Sequence, residues 1–283
     1  MELFPLHRAC APAQVKDTKL LPGTARKGRC AAGFFIMKSS RSWYIIPISL
    51  LIALLLWEGL VRFGGFPPYI LPGPGLVWER LLELLANGNL LRHSLVTLWE
   101  VLLGLVLGVS VAAGLGYALA KFDWLERLLS PYIVASQSVP VVAIAPLLVI
   151  WFGAGLLSKV LIAALIVFFP VLINTIVGLR SVPVGLRDLM RSLQATPWET
   201  FRLLEVPAAL PIFLGGLRVG ATLAVIGAVV GEFVGADRGL GFLVNLGRGL
   251  YDTALVFVAV FTLVTLAMLL YGAVVLIENR LLS

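Results

Sequence analysis

The chain has 283 residues, of which 60% are hydrophobic and 13% charged, and a net charge of +7. Soluble domains carry about 25% charged residues, so this composition excludes an ordinary water-soluble fold and points to a single polytopic membrane domain. The basic residues are spread over separate segments with no aromatic-interleaved patch, which speaks against nucleic-acid binding and makes the charge a signal of membrane topology.

Residues 1–42 place Pro5, Pro12 and Pro22 among scattered charges without apolar periodicity, and are expected to form a disordered tail ahead of a membrane domain over 43–283. No apolar core with a small-residue cleavage site marks a signal peptide. Met37-Lys38-Ser39-Ser40-Arg41 would make an ordinary start, so residues 1–36 are expected to be dispensable. Cys10 and Cys30 both lie in this tail and imply neither a disulfide nor a metal site.

A helix crosses a bilayer with roughly 20 apolar residues. Six segments qualify, at 43–63, 94–120, 131–152, 158–179, 209–235 and 253–277, and predict an all-α fold of six transmembrane helices. Between the first two, Gly64–His93 is rich in turn formers, and Val77–Leu85 sets Trp78, Leu81, Leu82 and Leu85 against Glu79, Arg80 and Glu83. That pattern is an interfacial helix, which either rests on the bilayer or helps to dock a delivery protein. Glycines 104, 108, 114 and 116 in the second span permit close helix approach. Pro140 and Pro146 in the third span and Pro170 in the fourth predict kinks or broken helices.

Polar side chains within spans are costly, which makes Gln137, Ser138, Asn174 and Glu232 candidate pathway or gate residues. Glu58 and Glu100 fall near interfaces, where they are expected to snorkel to water. No G-x-x-x-x-G-K-[ST], H-E-x-x-H or G-x-S-x-G is present, and His7 and His93 are isolated. No catalytic residue, metal or cofactor is therefore expected, and transport must be powered by a separate protein or an ion gradient.

Between the fourth and fifth spans lies a polar island, about 184–206. Leu186, Leu189, Met190 and Leu193 recur at helical spacing and form one stripe, with Arg187, Asp188 and Arg191 turned elsewhere. Thr196-Pro197-Trp198-Glu199 then has the form of a capping box with proline at the first helical position. A second short helix is expected there, carrying Trp198, Phe201 and Leu204 on one side and ending before Pro207. Such a helix pair either anchors a loop on lipid headgroups or presents a firm knob to a partner.

The island resembles the cytoplasmic signature of ATP-binding-cassette importer permeases, E-A-A, three residues, G, nine residues, I-x-L-P. Asp188-Leu189-Met190, Gln194, Leu204, Val206 and Pro207 stand in that register, with Asp in place of Glu and Gln in place of the turn glycine. The resemblance runs through most of 43–280 and is closest to the nitrate, sulfonate and taurine type. It implies a type I importer fold without ATPase activity of its own. It also implies that Asp188, Leu189, Met190, Arg191, Gln194, Thr196, Pro197, Trp198, Glu199, Phe201, Leu204 and Pro207 form the ATPase-coupling surface. The implied partners are ABC ATPase subunits, an extracytoplasmic solute-binding protein and a second permease copy. The run Gln137-Ser138-Val139-Pro140 through Trp151-Phe152-Gly153 is similar to the branch importing vitamins or precursors such as hydroxymethylpyrimidine or riboflavin, and sulfonate, taurine and nitrate carriers share much of it. A secondary transporter or channel is the alternative.

Lys and Arg placement sets the orientation. Fifteen fall in the tail, the loop after the second span, the island segment and the C-terminus, against Arg80, Arg92, Arg238 and Arg248 on the other side. The positive-inside rule places the island and both termini in the cytoplasm of a multi-pass inner or plasma membrane protein.

Overall fold

The computed structural model describes residues 45–282. The tail reading, with Cys10 and Cys30, lies outside the described residues. The chain divides into Met1–Ile48, of which only the first turn of a helix is described, and a compact unit Ser49–Ser283.

The described residues fold as helices: α1 (Ile45–Gly64), α2 (Pro74–Ala86), α3 (Asn89–Lys121), α4 (Asp123–Gln137), α5 (Val141–Phe152), α6 (Leu156–Arg180), α7 (Val184–Ser192), α8 (Pro197–Thr200), a π turn (Phe201–Glu205), α9 (Val206–Gly235), α10 (Leu240–Gly249) and α11 (Thr253–Leu282). Five helices are long and apolar enough to cross a membrane, and the α4–α5 pair makes a sixth span if counted as one. The all-α, six-span reading holds, with the third span corrected. It begins at Asp123 and is bent by 95° between α4 and α5. Pro140 caps α5 in an extended conformation, because a proline disfavours helix in the residue ahead of it and cannot donate to the preceding turn.

The core is a stack in which α6 lies between α3 and α9. Small residues set the spacing. A Cβ at Gly104 would meet that of Ala163 at 2.5 Å, one at Gly108 the Ala164 carbonyl at 2.7 Å, and one at Gly227 the Ala163 Cα at 2.6 Å. Backbones this close gain dispersion contacts that lipid chains cannot supply. Gly114, by contrast, faces open space.

The helix between the first two spans packs instead of floating. Val77 and Leu84 of α2 are buried with α3 and α11, and the Arg80 guanidinium bonds Asp252 at 2.7 Å. Its own hydrogen bond to the Glu83 carboxylate, outweighing partial burial, holds that guanidinium above its ordinary pKa. The stripe of Trp78, Leu82 and Leu85 turns outward. The first span is pinned nearby by Trp57, whose indole N–H donates to the Pro72 carbonyl at 3.1 Å and whose ring stacks on Phe257.

Candidate functional site

α7 buries none of its residues. Leu186 and Leu189 of its apolar stripe, with Leu193 just past its end, are 44%, 53% and 67% exposed, so the face predicted from spacing exists and none of the described residues covers it. Met190 is half-buried. Asp188 is exposed and 3.6 Å from Arg191, a pair too solvated to matter for stability. Arg187 turns back and donates to the Leu179 carbonyl at 2.8 Å, tying α7 to the end of α6.

The helix stops at a Schellman turn. The Gln194 N–H donates to Arg191 and the Ala195 N–H to Met190, both at 3.0 Å, with Gln194 in the left-handed region at φ 53°. The turn usually made by glycine is thus kept by a residue that pays roughly 1 kcal/mol in steric strain. Gln194→Gly is expected to raise thermal stability by about 1 kcal/mol, read as a higher Tm, while Gln194→Val lowers it.

Thr196 and Glu199 form the complete capping box: Thr196 N–H to Glu199 Oε2 at 2.7 Å, and Glu199 N–H to Thr196 Oγ1 at 3.3 Å. The helix that follows does not end before Pro207, which corrects the sequence expectation. Pro197–Gly235 runs as one helical segment of 39 residues. The π turn explains how. Val206 N–H reaches back five residues to Phe201, widening the turn just where the proline ring would strike the carbonyl four residues behind it. Pro207 then sits in the first turn of α9 with no amide to satisfy.

Trp198, Phe201 and Leu204 do not share one environment. The Trp198 ring is 66% exposed, whereas Phe201 is half-buried and edges onto Tyr117 of α3 with ring centroids 5.1 Å apart. Leu204 is half-buried as well. The neighbouring Glu205 is buried and bonds Lys121 at the end of α3 at 2.5 Å. Beside these contacts lies an apolar cavity of about 790 Å³, bounded by Tyr117, Trp198, Phe201 and Phe213. Tyr117, Lys121 and Glu205 were not singled out from sequence. Lys121 and Glu205 lie 84 residues apart, and no local pattern links them.

The candidate pathway residues are not brought together. Gln137 and Ser138 are exposed at the α4–α5 break. Asn174 packs against Gly216 of α9 and spends its amide on the Pro170 carbonyl at 2.8 Å. Glu232 is sixteen residues further along α9, about 24 Å away at 1.5 Å per residue.

Glu232 instead belongs to a buried polar cluster at the end of the molecule away from the island. Its carboxylate accepts from Thr97 Oγ1 at 2.7 Å and from the Gly241 amide, and Thr97 Oγ1 in turn accepts from the Leu240 amide at 2.8 Å. Glu100 does not snorkel to water: it is 1% exposed and bonds Lys159 Nζ at 2.8 Å. Among the described residues, three carboxyls are therefore buried in the spanning segments, Glu100, Glu205 and Glu232, not Glu232 alone. Lys159 escaped notice because a lysine four residues into a helix reads as an end-of-span cation. Gly239, at φ 115°, lets the backbone fold over Glu232, and its amide donates to His93 Nδ1 at 3.0 Å.

Residues 104–283 match the binding-protein-dependent transport system inner membrane component family. The chain belongs to that family. Among curated relatives, it is 48% identical over 236 residues to the riboflavin transport system permease protein RibX of Chloroflexus aurantiacus, covering 83% of this chain and 88% of the relative. It is 38% identical to the formylaminopyrimidine transport permease protein ThiX of Halalkalibacterium halodurans, covering 82% and 92%. An inward-facing MetNI methionine ABC transporter shares the fold, with a TM-score of 0.61 at 21% identity over 68% of this chain and 95% of that one. The protein is the permease subunit of an ABC importer for small solutes, which replaces the reading as a secondary transporter.

Proposed function

We propose that this permease carries a flat, uncharged heteroaromatic vitamin, riboflavin first among them, with ATP hydrolysed by separate subunits that grip the α7–α8 segment. In this reading an extracytoplasmic binding protein delivers the solute, a second permease copy completes the pathway, and the island lies in the cytoplasm of a bacterial inner membrane.

The relation to RibX carries the choice of substrate. Electrostatics supports it. The span cations Lys159 and Arg218 are each spent on a carboxylate, Glu100 at 2.8 Å and Glu278. An anion such as a sulfonate or nitrate finds neither of them available, whereas a neutral ring system needs no counter-charge. For the ATPase, support comes from the uncovered leucine stripe of α7, the rigid capped turn at Thr196–Glu199 and the exposed Trp198. A pre-formed apolar knob of this kind binds without first paying an ordering cost.

The test is ligand binding by the companion binding protein, followed by uptake in vesicles holding the full importer. Quenching of riboflavin fluorescence at sub-micromolar binding protein, with ATP-dependent riboflavin accumulation, is the expected result. Binding of formylaminopyrimidine or taurine in its place would overturn the substrate assignment.

A further inference from the structure

Beside the island the helix ends enclose a second cavity, of about 520 Å³. Lys121 at the end of α3, Asp123 at the start of α4, Arg187 and Arg191 one turn apart on α7, and Glu205 in the π turn all line it. Three cations and two carboxylates thus border one space. α3 and the Pro197–Gly235 segment are spanning helices and Asp123 opens the bent span, so these charges stand where the chain leaves the hydrocarbon for the headgroup layer. They are also apart from the coupling face. Arg187 and Arg191 lie off the leucine stripe of α7, on a side of the helix that Leu186 and Leu189 do not share.

Hydrogen bonding within this wall does not close. The Glu205 side chain is 3% exposed and accepts from Lys121 Nζ at Oε1, at 2.5 Å, while its Oε2 is buried without a donor. Arg187 spends Nη2 on the Leu179 carbonyl at 2.8 Å, while its Nε is buried without an acceptor. An anion answers Arg187 but is repelled by Glu205, and a cation does the reverse. A compact zwitterion answers both. An ammonium brings three N–H donors for the carboxylate and a phosphate brings acceptors for the guanidinium. Both buried atoms are shielded from solvent, and the soft terminal torsion of a glutamate lets its carboxylate turn into the cavity. Asp123 and Arg191, each with its side chain 83% exposed, offer the same two charges again. Asp123 is available because Arg180, 3.9 Å away, is held by both oxygens of Glu126.

We propose that this cavity binds the headgroup of a phosphatidylethanolamine molecule from the leaflet on the island's side, with its phosphate on Arg187 and Arg191 and its ammonium on Glu205 and Asp123. Basic pockets between spanning helices are a known way to hold lipid phosphates, and the two carboxylates add selection for an amine that can donate. The bound headgroup ties α7 to the α3–α4 corner and so braces the island against the spans. None of this depends on which solute is carried or on how the ATPase grips.

Native mass spectrometry of the full-length permease, extracted from vesicles holding phosphatidylethanolamine, phosphatidylcholine and phosphatidylglycerol in equal amounts, tests it directly. The choline lipid has the same phosphate but no N–H, and the glycerol lipid has the phosphate without a cation. Wild type is expected to retain the ethanolamine lipid over each by roughly tenfold or more, the worth of one hydrogen bond to a charged group. Glu205→Gln keeps the side chain's shape and should remove most of the preference over the choline lipid, whereas Arg187→Gln should lower retention of both. Absence of a preference in the wild type would overturn the proposal, as would one unchanged in both variants. Equal retention of phosphatidylglycerol would also overturn it, by showing a plain anion site. Displacement of the lipid by soluble phosphoethanolamine at equal concentration would overturn the bilayer as the source. Should the variants fail to assemble, stepwise N-methylation of the lipid amine decides with the wild type alone: retention falls as each N–H is removed, and a flat series defeats the assignment.

Discussion

Replacing Lys159 with Met is expected to lower stability by about 3–5 kcal/mol, the range for breaking one side of a buried ion pair. Its side chain is 6% exposed and bonds a carboxylate 2% exposed, so removing the ammonium strands negative charge where water cannot reach it. The lysine stem is also wedged against Gly231, whose added Cβ would come within 3.2 Å of it, and Met preserves that packing. Thermal unfolding in lipid nanodiscs measures the loss. Adding Glu100→Leu to Lys159→Met should recover most of it, since a well-packed apolar pair can replace a buried ionic one at little cost. A double variant as unstable as the single one would show that lysine acts by shape and not by charge.

Trp198→Ala is expected to leave the permease inserted and folded but to weaken ATPase capture by about 2 kcal/mol or more, roughly thirtyfold. The indole is exposed and contacts the Phe201 ring at 5.5 Å, so truncation leaves no large hole in the permease itself. Phe201→Ala should behave differently. Its ring is half-buried against Tyr117, and its loss should reduce the stability of the span as well as the affinity of the ATPase. Co-purification and ATPase binding to sealed inside-out vesicles separate the two effects. Unchanged affinity for Trp198→Ala, or binding from the opposite face, would defeat the coupling assignment and its orientation.

Much of this was legible in the chain because the responsible signals are local. The spans follow from apolar run length, α7 from the spacing of Leu186, Leu189 and Leu193, and the cap from four consecutive residues. The proline rules erred at Pro207 because an extra residue in the preceding turn accommodates the ring, and no composition rule announces a π turn. Span three gave the opposite outcome, where Pro140 did break the helix. The polar cluster was half visible: Glu232 stands out within an apolar run, whereas Thr97, Glu100 and Lys159 become its neighbours only when three helices stack, up to 135 residues apart in sequence.

The π turn carries a mechanical consequence. Because Pro197–Gly235 is continuous, the segment bearing Trp198 and the span bearing Glu232 turn as one shaft about 58 Å long. A π turn is one surplus residue in an α-helix, and each residue of α-helix advances the azimuth by about 100°. The bulge therefore fixes the angular phase between the two ends. Deleting Leu203 would keep every contact residue in the chain yet swing the Trp198 face by about a quarter-turn relative to the span, so that a stroke arriving from the ATPase would be delivered in the wrong direction.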